Sequence, residues 1–213
     1  MLVVPLFLKD KAGVLGRLTN INIMKVLPVL LSSLIFLSSC SKGSNVGVEE
    51  PDEVIGYPET AEIYLLNNLN DTRGYCIDMT GYKANADVNK ALQVHSCYSY
   101  QGSVSVDQGF DVSKISNGEF SLPFFNVCME VENVGSSSGL ILRECDNNPN
   151  QQFVFEDDGK IKPVNDLGLC LTASGDYREG GGGSPVHLIR DLSMSACDES
   201  LSTRQSWGFR SSN

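Results

Sequence analysis

The chain has 213 residues, 41% hydrophobic and 20% charged, with 16 basic and 26 acidic side chains and a formal net charge of −10. That size and balance suit one globular domain with processing segments. Such acidity repels a phosphate backbone and anionic lipid headgroups, so no nucleic-acid partner is expected and a neutral ligand is the natural one.

The first residues read as a targeting segment. Met24-Lys25 is a basic start, and translation is expected to begin there, which makes residues 1–23 an upstream extension. Val26 to Leu37 is apolar but broken by Ser32 and Ser33. It is too short for a membrane-spanning helix, which needs roughly 20 apolar residues. Leu37-Ser38-Ser39-Cys40 follows and resembles a bacterial lipobox. Residues 1–39 are therefore expected to hold a lipoprotein signal peptide. Cys40 is expected to carry the lipid, so the membrane is met through that anchor only. The expected location is the bacterial cell envelope, and Ser41 after Cys40 suggests the outer membrane in a Gram-negative cell. Residues 40–60, rich in Gly, Pro and acids, read as a flexible tether. Residues 1–40 hold four basic groups (Lys9, Lys11, Arg17, Lys25) and Asp10 alone among acids, so the remainder is more acidic still.

Residues 61–213 read as the packed domain, built on an internal repeat. Each of its three copies has a Cys, a second Cys, and then Gln-x-aromatic. They are Cys76…Cys97…Gln108-Gly109-Phe110, Cys128…Cys145…Gln151-Gln152-Phe153 and Cys170…Cys197…Gln205-Ser206-Trp207. Such units cannot bury their apolar faces alone, so they are expected to share one core. Seven cysteines less Cys40 leave six, which in an exported domain read as a disulfide framework. The sequence admits many pairings. The repeat selects Cys76–Cys97, Cys128–Cys145 and Cys170–Cys197, each bridge inside its own unit. A metal site is not expected, because C-x-x-C is absent and there are only 2 histidines.

Short alternating strands dominate, with no sustained helical period. Leu92-x-Val94, Leu140-x-Leu142 and Leu192-x-Met194 precede the second cysteines. Phe110-x-Val112, Phe153-x-Phe155 and Trp207-x-Phe209 follow the glutamines. Period two with aromatics predicts half-buried strands, about four per unit and about twelve in all. Asn117-Gly118 and Asp158-Gly159 are hairpin-turn signals, where both positions favour positive φ. The closing strand of the third unit is predicted to come from Ile63 to Leu66, bringing the two ends of the domain together. Gly180–Gly183 with Ser184 reads as a flexible hairpin tip, and Val186-x-Leu188 beside it as a further candidate strand.

The three units resemble the ricin B-type lectin domain. The resemblance implies an all-β fold, a β-trefoil of three pseudo-symmetric lobes each with its own disulfide. It implies that Phe110, Phe153 and Trp207 pack into the shared core while the glutamines brace their lobes. It also implies a shallow sugar pocket in lobe one. Its members would be Asp78, two residues after the first Cys, with Gln93 and His95 before the second, and Asp107-Gln108. A weaker site in lobe two would use Glu130, Arg143, Asn150 and Gln151, with Arg143 able to pair with Glu130 or to favour an acidic sugar. Lobe three has Thr172 and Ser195 in the corresponding places and is expected to be structural.

The chemistry of these residues fits the same reading. A carboxylate such as Asp78 accepts from two neighbouring hydroxyls, and glutamines both donate and accept. A flat ring stacks on the C–H face of a pyranose. No pair of carboxylates has spacing that singles it out for glycoside hydrolysis, and no Gly-x-Ser-x-Gly appears. No enzyme activity and no cofactor are expected. The expected partner is a glycan or polysaccharide. The alternative is a protein–protein module, such as a subunit bound to a toxin or an enzyme.

Overall fold

The computed structural model describes residues 58–211. The expected extension, signal peptide, Cys40 and the tether up to residue 57 lie outside the described residues. Lobe one holds β1 (Thr60–Leu65), β2 (Tyr75–Asp78), β3 (Gln93–Ser96) and β4 (Phe110–Asp111). Lobe two holds β5 (Ser121–Leu122), β6 (Val127–Val131), β7 (Leu140–Arg143) and β8 (Phe153–Phe155). Lobe three holds β9 (Ile161–Pro163), β10 (Leu169–Ala173), β11 (Arg178–Glu179), β12 (Leu188–Ala196) and β13 (Trp207–Ser211). The fold is an all-β trefoil. Its thirteen described strands exceed the expected twelve by β11, which lies in the third lobe.

The two ends of the domain meet as predicted. Antiparallel β1 and β13 align Ile63 with Phe209 and Leu65 with Trp207. Trp207 and Phe209 stand two residues apart and so share one face of β13, but Trp207 is 1% exposed and Phe209 49%, so the buried core ends between them. The residue after each first cysteine (Ile77, Met129, Leu171) is fully buried, and so is Phe110, with Phe153 close behind at 3% exposure. Backbone bonds join the three hairpins to one another. Leu92 donates to Leu140, Ser137 to Met194, and β12 aligns with β3 through Ile189–His95 and Asp191–Gln93.

Local expectations change in three places, and the first is Val186, which lies in a turn before β12 and not in a strand. Val112 does not extend β4. Asp111 accepts from the Ser113 N–H at 2.9 Å and caps a short helix, α1 (Val112–Ile115). Asn117-Gly118 therefore follows a helix rather than joining two strands. Asp158-Gly159 does link β8 to β9. In both pairs only the glycine takes positive φ, at 77° for Gly118 and 85° for Gly159. A Cβ on Gly118 would lie 2.2 Å from the Phe153 carbonyl oxygen, so glycine is required there for space as well as conformation.

The three bridges form within lobes, with S–S distances of 2.03, 2.10 and 2.02 Å. Beside each lies one glutamine with the same pattern of hydrogen bonds. Gln108 accepts from Tyr98 N–H at 3.0 Å and donates to the Ser96 carbonyl at 3.3 Å. Gln151 accepts from Asp146 N–H at 3.1 Å and donates to the Glu144 carbonyl at 2.8 Å. Gln205 accepts from Asp198 N–H at 3.0 Å and donates to the Ala196 carbonyl at 3.0 Å. The second hydrogen of each amide goes to the residue two after the first cysteine: Asp78 at 2.6 Å, Glu130 at 2.9 Å, Thr172 at 2.9 Å. The amide thus straddles the second cysteine and ties it to the first strand of the hairpin. Replacing Gln205 with Ala leaves these partners unmatched and is expected to lower stability by about 1–3 kcal/mol. Urea unfolding with the disulfides intact measures this, and an unchanged midpoint would show that the amide does not brace its lobe.

Candidate functional site

A cleft of about 660 Å³ opens where lobe one meets lobe three. Lobe one provides Gln93 and His95 from β3, Thr80 to Tyr82 after β2, and Tyr98 and Gln101 after the second cysteine. Lobe three provides Arg178, Gly181 to Gly183, His187 and Ile189. The rings cluster. His95 lies 5.1 Å from Tyr98 and 5.0 Å from His187 between centroids, and Tyr98 lies 5.2 Å from His187. Tyr82 meets Tyr98 edge-on at 6.4 Å.

Polar groups behind the rings are held in fixed orientations. The Ser96 carbonyl can only accept, so the His95 Nδ1 that meets it at 2.9 Å carries the proton. Burial, then the nearby His187, lowers the His95 imidazole below 6.5, against the pull of Ser96, so its neutral form prevails at pH 7. Gln93 Nε2 donates toward Asp78 at 3.5 Å, while its Oε1 accepts from Arg178 at 3.2 Å. Arg178 itself pairs with Asp191 at 2.7 Å. Both ends of the Gln93 amide are thereby assigned, one from each lobe.

The structure separates the five lobe-one residues singled out in the sequence. Gln93 and His95 line the cleft. Asp78 sits behind them, 1% exposed, bonded to Gln108 and Gln93. Burial, then the charge of Asp107, pushes the Asp78 carboxyl well above the ordinary carboxylate range. Asp107 is fully buried and accepts from Lys83 N–H at 2.5 Å and from the Ser105 hydroxyl, so it ties two loops. Gln108 is likewise fully buried, in the brace beside the disulfide.

In lobe two, Glu130 accepts from Asn148 and Gln151, each at 2.9 Å. Arg143 is exposed and donates to the neighbouring Leu142 carbonyl at 3.1 Å, so it lies outside the Glu130 bonds. Asn150 Oδ1 accepts from Asn165 at 2.8 Å. In lobe three, Thr172 is buried and donates to the Cys170 carbonyl at 2.8 Å, a structural arrangement. Lobe one's sequence alone does not point to Arg178, His187 or the glycines that complete its cleft. Their signal was the glycine run between Cys170 and Cys197. It marked a hairpin tip, but nothing local says that the tip lies against another lobe.

That tip is pinned. Asp71 accepts from Arg73 Nη2 at 2.7 Å and Nε at 2.8 Å and from the Ser96 hydroxyl at 2.5 Å. Arg73, so oriented, donates to the Pro185 and Val186 carbonyls at 2.8 and 2.7 Å. Leu188 N–H donates to Ser96 Oγ at 2.8 Å.

The sequence profile of the ricin-type beta-trefoil lectin domain matches residues 64–207, well over half of the chain. The chain belongs to that family of carbohydrate-binding domains. No curated protein matches it. Among solved structures it is similar to the mdaA-1 domain, with a TM-score of 0.53 and 13% identity over 71% of this chain and 89% of that one. It is similar to ThreeFoil, a designed threefold-symmetric protein (TM-score 0.52, 14% identity, 70% and 96% covered). It is also similar to an earthworm lectin C-terminal domain mutant in complex with 6′-sialyllactose (TM-score 0.50, 14% identity, 72% and 99% covered). At these identities the likeness is one of fold.

The pin gives an acid-sensitive contribution to stability. Burial alone would raise the Asp71 carboxyl, but the bonds from Arg73 and Ser96 bring it from 3.8 down to about 2. A lowered carboxyl adds stability above its unfolded value and loses it as pH falls toward the folded one. Native protein is expected to lose stability between about pH 4 and pH 2 more steeply than Asp71→Asn. Thermal melts across that range compare the two, and parallel curves would remove Asp71 from the account.

Proposed function

We propose that this domain is a non-catalytic lectin that binds a glycan in the cleft over lobe one and holds it at the bacterial envelope. The observation that carries the reading is the pairing, in one cleft, of a ring cluster with an amide whose donor and acceptor ends are fixed. Tyr82, 56% exposed, offers a face for the C–H side of a pyranose, backed by the buried rings of His95 and Tyr98. Gln93 has a remaining hydrogen and a remaining lone pair for its hydroxyls. Asp78 acts from behind, orienting Gln93, which is a different part from a direct grip on sugar hydroxyls. The earthworm lectin complex with 6′-sialyllactose supports a glycan as the ligand class for this fold. The identity of the sugar is left to experiment.

The lipobox-like Leu37-Ser38-Ser39-Cys40 supports anchoring through Cys40. A single binding cleft has modest affinity, and an array of anchored copies would compensate by multivalency.

A glycan array probed with the disulfide-bonded mature chain tests the reading. Gln93→Ala is expected to cut binding at least about tenfold, the effect of losing one to two polar contacts. Asp78→Asn keeps the acceptor for Gln108 and is expected to stay folded while weakening binding less than Gln93→Ala. Binding by the native chain that neither substitution alters would move the site away from this cleft. For the anchor, Cys40→Ala is expected to release the protein from the membrane fraction and abolish palmitate labelling. Unchanged fractionation would refute lipidation at that position.

A further inference from the structure

We propose that the β11–β12 hairpin of lobe three forms a second sugar subsite, so that the cleft selects a neutral oligosaccharide of two or more units over a single sugar. This rests on the lobe-one cleft being a carbohydrate site.

Size is the first argument. At about 660 Å³ the cleft can bury a drug-sized ligand, for which roughly 300–1,000 Å³ is usual. A hexopyranose has only about a dozen non-hydrogen atoms and, set against Gln93 and His95, leaves much of that space unfilled. The unfilled side is the lobe-three wall.

That wall is held in place before any ligand arrives. Gly180 N–H donates to the His187 carbonyl at 2.7 Å, and His187 N–H to the Gly182 carbonyl at 2.8 Å. Arg73 and Ser96 of lobe one fix its base, through Pro185, Val186 and Leu188. A preformed wall spares a ligand the cost of ordering it.

The glycines divide into two kinds. Gly183 has φ of 90°, and a Cβ there would lie 2.9 Å from the His187 ring, so the fold itself requires it. Gly181 and Gly182 line the cleft, and a Cβ on either would meet nothing within 4 Å. Neither the fold's space nor a positive φ explains them. Bare backbone beside a cleft lets a ligand approach peptide N–H and C=O groups closely, which a side chain would prevent.

Arg178 joins the two halves. Among the described residues its bonds to Gln93 and Asp191 use two of its five N–H groups, which leaves donors for a glycan hydroxyl between the subsites. The same pairing sets the ligand class. Asp191 at 2.7 Å offsets the Arg178 charge, Asp71 offsets Arg73, and burial favours neutral His95 and His187. Among the residues that line the cleft no cation is left uncompensated for a sugar carboxylate, while Lys83 stands outside the lining over the Tyr82 ring.

The test uses the full mature chain on an array that prints each terminal sugar as a monosaccharide and as neutral and acidic extensions of it. The best neutral di- or trisaccharide is expected to bind at least about tenfold more tightly than its terminal monosaccharide. That gain is expected to shrink in Gly182→Leu, which fills the lobe-three side, and to persist in Tyr82→Ala, which removes a lobe-one face and weakens monosaccharide and oligosaccharide alike. Melting temperatures establish that both variants fold. Equal binding of monosaccharide and oligosaccharide, or a gain that Gly182→Leu retains in full, would overturn the subsite and leave the lectin reading standing. A preference for acidic extensions would overturn the neutral class. Failure to bind any printed glycan would overturn the lectin reading and this one with it.

Discussion

Each lobe closes around one primary amide. A disulfide fixes the separation of two cysteines but leaves the second strand free to twist about its sulfurs. The glutamine removes that freedom by bonding on both sides of the second cysteine, to the carbonyl before it and the N–H after it. No other side chain of that length has both a two-hydrogen donor and an acceptor. The next residue but one is the aromatic that enters the core, so the same bonds that orient the strand deliver Phe110, Phe153 or Trp207 to the interior. The threefold pattern in the sequence is this requirement stated three times.

The brace also explains why the lobes can diverge without losing the fold. Its third bond goes to whatever acceptor lies two residues past the first cysteine. Asp78, Glu130 and Thr172 all satisfy it, with distances within 0.3 Å of one another at 2.6, 2.9 and 2.9 Å. The position therefore demands only an oxygen. Which oxygen decides what else the lobe can do. Thr172 spends its hydrogen on a local carbonyl, Glu130 meets Asn148, and Asp78 has an oxygen left to face Gln93. A buried acid with a raised pKa is a costly choice for stability alone. It fits a lobe in which amide orientation matters to a ligand.

Much of the trefoil was legible because its determinants are local or periodic. Cysteine order gave the bridges, alternation gave most strands, and the aromatic two residues after each glutamine marked the core. Where a short polar group competes with the strand, the pattern misleads. Asp111 caps a helix at a point where Phe110-x-Val112 reads as strand, and Asn117-Gly118 then closes that helix. The site was half legible for a different reason. Gln93 and His95 alternate with Val94 on β3 and reach the cleft, but the equally polar Asp107 and Gln108 turn inward to tie loops and strands. Polarity marks a residue that needs partners and does not say whether those partners are protein or ligand.

The rest of the site was hidden because it is made between lobes. Strand β12 runs from Leu188 to Ala196, and it is shared. Its second half pairs with β10 of its own lobe from Leu192 onward, while Ile189 to Asp191 pair with β3 of lobe one. The first half of β12 thus extends a lobe-one sheet, with Leu188 packed against the edge of the shared core. Arg190 secures the junction. It is 4% exposed, its guanidinium lies 4.8 Å from the Tyr75 ring and 5.3 Å from that of Tyr177, and it bonds the carbonyls of Ser174 and Gly175. A cation held so far from water, between a lobe-one ring and a lobe-three ring, fixes the angle between hairpin and lobe. The depth of the cleft follows from that angle, so the property that most distinguishes lobe one is set by a strand from lobe three.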